Sequence, residues 1–444
     1  MGKLYVGIDV GKKFNVCSIV DDNGLEIIKR LKFDNNFTGF DILSSKIHLL
    51  REKYIISSSD VLVGFEATGH YWHNLYDFFS DVCNYECVFI KTRTVQLIRE
   101  IDSSGKGKND SLDSYTIAKC LKENRYSYIR KPSRELDSLK KLTRTRDELV
   151  NNMVRQKNRI IGWLDVHNPV FLDVFKSFTG KTSFLILQKY QTPKDIVEAG
   201  FDEIWEYIKD NMKSPRIKVI EDLLSCCKNC GKENVEISYA ARVEIELYLN
   251  TYSYFKNQID TLDQKILEEA RNSIEGFKYI EEIKAISLVQ TIAIIAELGD
   301  IDNFKTARQV LNFSGLNLRE YSSGLHKGQT KISKAGSRQI RKNIYIIATI
   351  LVAKNNDFRA LYCYYKSYNR EKKSENMQML IAVCCKILKV LYGILKNNSA
   401  FSREELFKSL DFSKIDMDKF VKEYKGKSET REDIDLKEYS YLFS

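Results

Sequence analysis

Four carboxylates in the first quarter of the chain stand where acids can do chemistry. Asp9 closes the apolar run LYVGIDV (4–10), and Glu66 lies within a second one, VLVGFEATG (61–69). Asp110 and Asp113, in KNDSLDSYTIA, stand three apart at an expected helix start, a spacing that puts both on one helical face. The plain alternative for that pair is that acids favour first helical turns for dipole reasons. Four carboxylates gathered at one edge repel one another unless cations sit among them, and hard oxygen donors favour Mg²⁺ or Mn²⁺. Paired ions of this kind are the usual apparatus for in-line displacement at a phosphodiester.

A second set surrounds a pair of serines. From Tyr321 to Lys342 the chain carries Lys327, Lys331, Lys334, Arg338, Arg341 and Lys342, six cations and no acid in 22 residues. Gly324, Gly328 and Gly336 let the backbone approach a phosphate closely, and Ser337 precedes a helix expected to begin at Arg338 and can cap it. Such a loop suits a phosphodiester backbone. A serine here can also be a nucleophile, if a base or metal takes its proton and the cations stabilise the pentacoordinate phosphate. From the residues alone both readings stay open.

Stepping along the chain gives the elements that must hold these groups. Residues 4–10, 14–20 and 25–33 read as strands, the first two apolar and the third alternating, with Asn23-Gly24 as a hairpin turn. A helix is expected over 37–53, strands over 61–66 and 86–90, and helices over 70–80 and 93–101, which makes the sheet mixed α/β. Beyond Pro132, Leu136, Leu139, Leu142, Leu149, Met153, Ile160 and Leu164 recur at helical spacing, with Arg144, Arg155 and Arg159 on the other faces. A second long helix is expected over 235–271, with a helical insert over 170–232 between the two. These helices are expected to pair as a hairpin or to dimerise. Helices return after Phe277, and residues 401–444 read as a peripheral tail.

The chain has 444 residues and a formal net charge of +10, too long for one small domain and basic enough to favour a polyanionic partner. No apolar run is expected to reach the roughly 18–20 residues that span a bilayer, and the N-terminus, running straight into a strand, does not read as a signal peptide. Ten cysteines, several inside apolar runs, read as reduced thiols of a cytoplasmic protein. The single CxxC in CCKNC (226–230), with no second pair, is a weak zinc signal.

GIDVGK (7–12), FEATG (65–69) and KNDSLDSYTIA (108–118) together resemble the three parts of the DEDD motif of Piv-like insertion-sequence transposases. That family also carries a C-terminal pattern that here reads Gly315-Leu316, Ser323-Gly324, Ile332-Ser333-Lys334-Ala335-Gly336 and Ile340-Arg341. The resemblance covers roughly residues 3–125 and 277–396, and more weakly the region between. It departs where the family often has Pro after Gly-Leu, here Asn317, and in IKAISLVQ (283–290), where Ala285 and Ser287 replace the usual glycines of a helix-hairpin-helix-like turn.

The resemblance implies an RNase H-like (RuvC-like) mixed-sheet domain over 1–130, a coiled-coil hairpin with its insert over 131–275, and a helical serine-transposase domain over 276–400. It implies Asp9, Glu66, Asp110 and Asp113 as ligands of Mg²⁺ or Mn²⁺, and Ser323 as the nucleophile, with Ser322 and then Tyr321 as alternatives. Its partners would be DNA, a structured guide RNA encoded beside the gene, and further copies of the chain in a dimer or tetramer, with no membrane. The activity would be bacterial and nucleoid-associated. Two other readings remain: a metal-dependent nuclease or junction resolvase using the carboxylates alone, and an actin-like ATPase or sugar kinase, for which the second phosphate turn is missing.

Overall fold

The computed structural model describes residues 2–66, 69, 71–103, 110–128, 133–213, 216–319, 331–368, 376–408 and 410–411. The chain divides into two compact units, Met1–Lys131 and Pro132–Ser444.

The first unit opens with β1 (Leu4–Asp9), β2 (Phe14–Asp21), β3 (Glu26–Asp34) and α1 (Phe37–Tyr54), followed by β4 (Val61–Glu66) and α2 (His73–Asp77). The helix expected over 70–80 is α2 running into a wider π-type turn, Phe78–Val82. Then come β5 (Glu86–Ile90), α3 (Thr92–Ser103), α4 (Asp110–Lys122) and β6 (Ser127–Tyr128), an edge strand too short to have a periodicity. The sheet order is β3-β2-β1-β4-β5-β6. β1 runs antiparallel to β2 and parallel to β4, and β4 runs parallel to β5. Gly24 takes the positive φ of 86° that the Asn-Gly turn requires, and Asn36 caps α1 by accepting from Gly39 N.

Alternation along the strands gives the sheet two dry faces. Leu4, Val6 and Ile8 of β1 and Val61, Val63 and Phe65 of β4 pack with Phe40, Leu43 and Ile47 of α1. Leu62, Val88 and Ile90 pack instead with Val95 and Ile98 of α3 and Ile117 and Leu121 of α4.

The second unit begins with α5 (Arg134–His167), capped by Ser133. The insert follows as α6 (Phe171–Phe175), α7 (Lys181–Lys189), α8 (Pro193–Asn211, kinked at Gly200) and α9 (Ile217–Lys228), and leads to α10 (Tyr239–Ser273). α5 and α10 pair antiparallel: Trp163 Nε1 donates to Ala241 O at 3.0 Å, and Arg146 Nη2 reaches Asp263 Oδ2 at 3.0 Å. Phe171, Ile186, Ile204 and Leu223 of the insert share a core with Trp163 of α5 and Ile245 and Leu249 of α10. The remaining elements are α11 (Phe277–Glu281), α12 (Leu288–Leu298), α13 (Ala307–Ser314), β7 (Leu318–Arg319), β8 (Lys331–Ile332), α14 (Arg338–Lys354), α15 (Asn356–Tyr368), α16 (Asn376–Asn397) and α17 (Arg403–Phe407). Leu139 of α5 and Ile266 and Ala270 of α10 join the core of these helices, so the long pair is rooted in it.

Two expectations are corrected. α16 is long and apolar enough, by composition, to cross a membrane. The lysines within it interrupt the run without making it polar, and Val383, Ile387, Leu388, Leu391 and Ile394 bury it in the core of this unit. The tail expected from residue 401 is not peripheral at its start: Leu406 and Phe407 are 1% and 2% exposed, and Asp411 N donates to Tyr364 Oη at 3.1 Å. All ten cysteines are free thiols, as expected.

The turn between α11 and α12 keeps a glycine's backbone without the glycine. Ala285 has φ 65°, a region that costs a non-glycine residue about 1–2 kcal/mol. Ala285→Gly should therefore raise stability by about 0.5–1 kcal/mol, after its greater freedom in the unfolded chain is offset. Denaturant midpoints at unchanged m-value check this.

Candidate carboxylate edge and serine-loop stem

The parallel pairing of β1 with β4 brings the first two carboxylates together. Its register runs to Ile8↔Phe65, so the next step places Asp9 beside Glu66 at the ends of adjoining strands. Both are half-buried. Each stands two residues beyond a glycine, Gly7 or Gly64, that faces α4, so alternation sends both acids to the face α4 covers.

α4 lies on that face at close range. A Cβ on Gly7 would stand 2.3 Å from both Ser114 O and Ala118 N, and one on Gly64 would stand 2.4 Å from Leu121 Cδ2. Ser18, the register partner of Gly7 on β2, shares a buried hydrogen bond of 3.0 Å with Ser114, Oγ to Oγ. Lys122 at the far end of α4 reaches Gly24 in the β2–β3 turn, so the helix runs antiparallel to β1 and starts at the Asp9 end. At about 1.5 Å per helical residue and 3.3 Å per strand residue, Asp113 and Asp110 stand about 4–9 Å above the level of Gly7, and Asp9 about 7 Å. The backbone thus brings Asp9, Glu66, Asp113 and the position of Asp110 to one edge. Asp113 is half-buried, and the side chain of Asp110 lies outside the described residues. Among the described residues no three His, Cys, Asp or Glu side chains lie close enough to hold a metal ion, so Asp9, Glu66 and Asp113 are not drawn into a cage by themselves. As a donor set, acidic oxygens on two strand ends and a helix start fit a hard divalent cation.

Ser322, Ser323, Tyr321 and Lys327 lie outside the described residues, but the stem that presents them does not. α13 ends at Gly315, φ 70°, and the chain leaves through β7, which pairs antiparallel with β8 by Leu318↔Ile332 and Arg319↔Lys331. Ser333 N donates to Asn317 O at 2.9 Å, and Lys334 N to Gly315 O at 3.1 Å. Ser337 caps α14 as expected, its Oγ accepting from Ile340 N at 3.3 Å. Gly336 fits against the end of α13 so tightly that a Cβ would stand 2.4 Å from Phe313 O and 2.5 Å from Gly315 N. Gly336→Ala must push backbone against backbone, and should cost about 1–3 kcal/mol. The thermal midpoint of the full chain measures it.

The basic residues divide by what they already touch. Arg341 Nη1 donates to Ser314 O at 2.9 Å and Gly336 O at 3.0 Å, which makes it a staple of the stem. Lys342 pairs with Asp147 of α5 at 3.0 Å. Arg144 donates through Nε to the buried Glu297 at 2.7 Å, with Lys140 at 3.5 Å, and that bond holds the guanidinium's proton still more firmly than usual. Arg159 lies over the Tyr248 ring at 5.7 Å, and Arg155 reaches Asn152 Oδ1 at 3.2 Å. Lys334 and Arg338 are exposed at the head of α14, and the side chain of Lys331 lies outside the described residues. Two tyrosines of α15 serve packing: Tyr364 is 5% exposed, and burial pushes the Tyr365 hydroxyl up to about 12.

If the exposed Arg338 meets a phosphodiester backbone, Arg338→Ala should weaken binding of a duplex alike across sequences and lower the salt slope by about 1. Arg341→Ala should instead lower the thermal midpoint. Salt titrations of binding beside melting curves separate the two.

Two family models match the chain, one after the other along it. A DEDD transposase family model of the IS110 type matches residues 6–169, and the model for the transposase IS116/IS110/IS902 family matches residues 278–363. The insertion element IS116 44.8 kDa protein of Streptomyces clavuligerus is 22% identical over 325 residues, 71% of this chain and 77% of that one. The pilin gene-inverting proteins of Moraxella bovis and Moraxella lacunata are each 25% identical over 112 residues, a quarter of this chain and 34% of theirs. The mixed sheet of the first unit and the helical remainder are consistent with an RNase H-like DEDD transposase. With both domain models matched in order over more than half its length, the chain belongs to the IS110/IS116 family of insertion-sequence transposases.

Proposed function

We propose that this transposase cuts and rejoins DNA at the ends of its element through a serine nucleophile, Ser323, aided by the carboxylates Asp9, Glu66, Asp110 and Asp113, and directed by a structured RNA. The observation that carries the reading is the convergence of the strand-end acids and the start of α4 at one edge. The β7–β8 stem, which closes the serine loop above a capped helix start, supports the second half.

In this reading the Ser323 oxygen forms a bond to phosphorus as the bond from phosphorus to a deoxyribose oxygen breaks. The serine proton passes to a base and the departing oxygen gains one. The reverse attack by another DNA end restores the serine, so the bond energy is kept in the protein–DNA ester. Mg²⁺ or Mn²⁺, when bound, would neutralise charge on the phosphate and on the oxygens that attack and leave. Asp9 and Glu66 would hold it from the strand ends, with Asp113 and Asp110 from the helix, and Lys334 and Arg338 would hold the DNA backbone. The active form would be a dimer or tetramer working on the nucleoid.

The test is a supercoiled plasmid carrying both element ends, incubated with full-length protein, Mg²⁺ and transcripts of the noncoding DNA flanking the gene. Joined product and a covalent protein–DNA adduct are expected only with the transcript. Joining by protein alone would refute guidance, and cutting without an adduct would favour the nuclease or resolvase reading.

A further inference from the structure

We propose that Asn35, together with Asn15, is a positioning residue that holds in register the two loops following the strand-end carboxylates. The proposal rests on the carboxylate edge described above and adds residues outside it.

Asn35 follows β3, far from Asp9 and Glu66 in sequence, yet its amide touches the loops after both. Its Nδ2 donates to Gly11 O at 2.9 Å, two residues past Asp9, and to Tyr71 O at 3.2 Å, five residues past Glu66. Its own backbone N donates to Lys13 O at 2.9 Å. From the other side Gly11 N donates to Asn15 Oδ1 at 3.2 Å. Two asparagines therefore grip one residue, Asn15 the N–H of Gly11 and Asn35 its carbonyl. Gly11 must be small for this, because a Cβ there would stand 2.3 Å from Phe14 O.

Both amides also carry a cost. Asn15 is fully buried and its Nδ2 has no hydrogen-bond partner, and the buried Oδ1 of Asn35 has none either. An apolar residue would avoid those orphaned atoms, so the grip needs a reason other than filling space. Among uncharged side chains only a carboxamide carries two N–H donors on one nitrogen, as bonding carbonyls on separate loops requires here. Neighbouring parallel strands can slide or splay at their ends, where the ladder stops. The bracket lies just past that point and fixes the β1 end against the β4 end.

The experiment compares Asn35→Leu, which keeps the bulk and removes the donor, with Asn36→Ala, which removes the α1 cap next door and touches neither loop. Both are made in the full-length protein. In EDTA, trypsin cleavage after Lys12 and Lys13 is followed by mass spectrometry. Asn35→Leu should speed it about tenfold or more at temperatures well below melting, and Asn36→Ala should not, although both lower the thermal midpoint. Mn²⁺ titration calorimetry should show a roughly tenfold weaker affinity for Asn35→Leu, the scale typical of groups that orient ligands from behind. An unchanged cleavage rate, or an Mn²⁺ affinity equal to that of Asn36→Ala, would overturn the proposal. If wild-type Mn²⁺ binding does not depend on Asp9, the metal reading of the edge fails instead, while the trypsin result still decides whether the bracket holds the loop.

Discussion

Ser323→Ala should abolish the covalent protein–DNA adduct and lower strand joining by at least roughly 10⁴-fold, the scale seen when an enzyme's nucleophile is removed. The expectation follows from the division of labour at the stem. The Arg341 guanidinium donates to the Ser314 and Gly336 carbonyls, and Gly336 packs closely against Gly315. Ser337 is engaged in capping α14, and Ser333 Oγ donates to Asn317 Oδ1 at 2.6 Å. The hydroxyls of Ser333 and Ser337 are therefore already used in holding the stem, which leaves the proposed attack to Ser323 or its neighbour Ser322. Ser322→Ala should keep the adduct. Denaturing gels of ³²P-labelled element ends read both variants, and an adduct that persists in Ser323→Ala and vanishes in Ser322→Ala would move the nucleophile by one residue.

Asp9→Asn should lower cutting and joining by about 10³-fold, corresponding to about 4 kcal/mol of lost stabilisation of charge at the reacting phosphate. The substitution keeps the shape of the side chain and removes its charge, at a position flanked both by the parallel strand end that carries Glu66 and by the start of α4. Mn²⁺ affinity should fall in parallel, and a melting curve in EDTA checks that the sheet is intact. Glu66→Gln should behave in the same way. Full activity of Asp9→Asn at saturating Mg²⁺ would remove the carboxylates from the mechanism and leave a serine-only enzyme. Loss of activity in Asp9→Asn with full activity in Ser323→Ala would give the resolvase reading instead.

Much of the local structure is legible in the residues. The runs 4–10, 14–20 and 61–66 carry enough apolar and β-branched side chains that each becomes a strand almost to the residue. Leucines at helical spacing specify α5, and Ser337 before Arg338 specifies the start of α14, because periodicity and caps are properties of a few neighbouring residues. The order of the four carboxylates and the basic, glycine-rich serine segment are likewise plain, and the proposed chemistry can be drawn from them before any pairing is known.

What only the tertiary structure decided is partnership. Nothing near Asp9 or Glu66 states that β1 and β4 run parallel and in a register that sets the two side by side. That pairing spans more than fifty residues and is selected by how both sheet faces are covered. The same limit governs the cations: Arg144, Arg341 and Lys342 look available for nucleic acid in the sequence, but Glu297, two backbone carbonyls and Asp147 occupy them in the fold. Residues 401–411 look like a polar tail until Leu406 and Phe407 find the core. A sequence fixes which residues can do chemistry and which face of each element is apolar. Which faces meet, and so which charges remain to act on a substrate, depends on contacts between residues far apart in the chain.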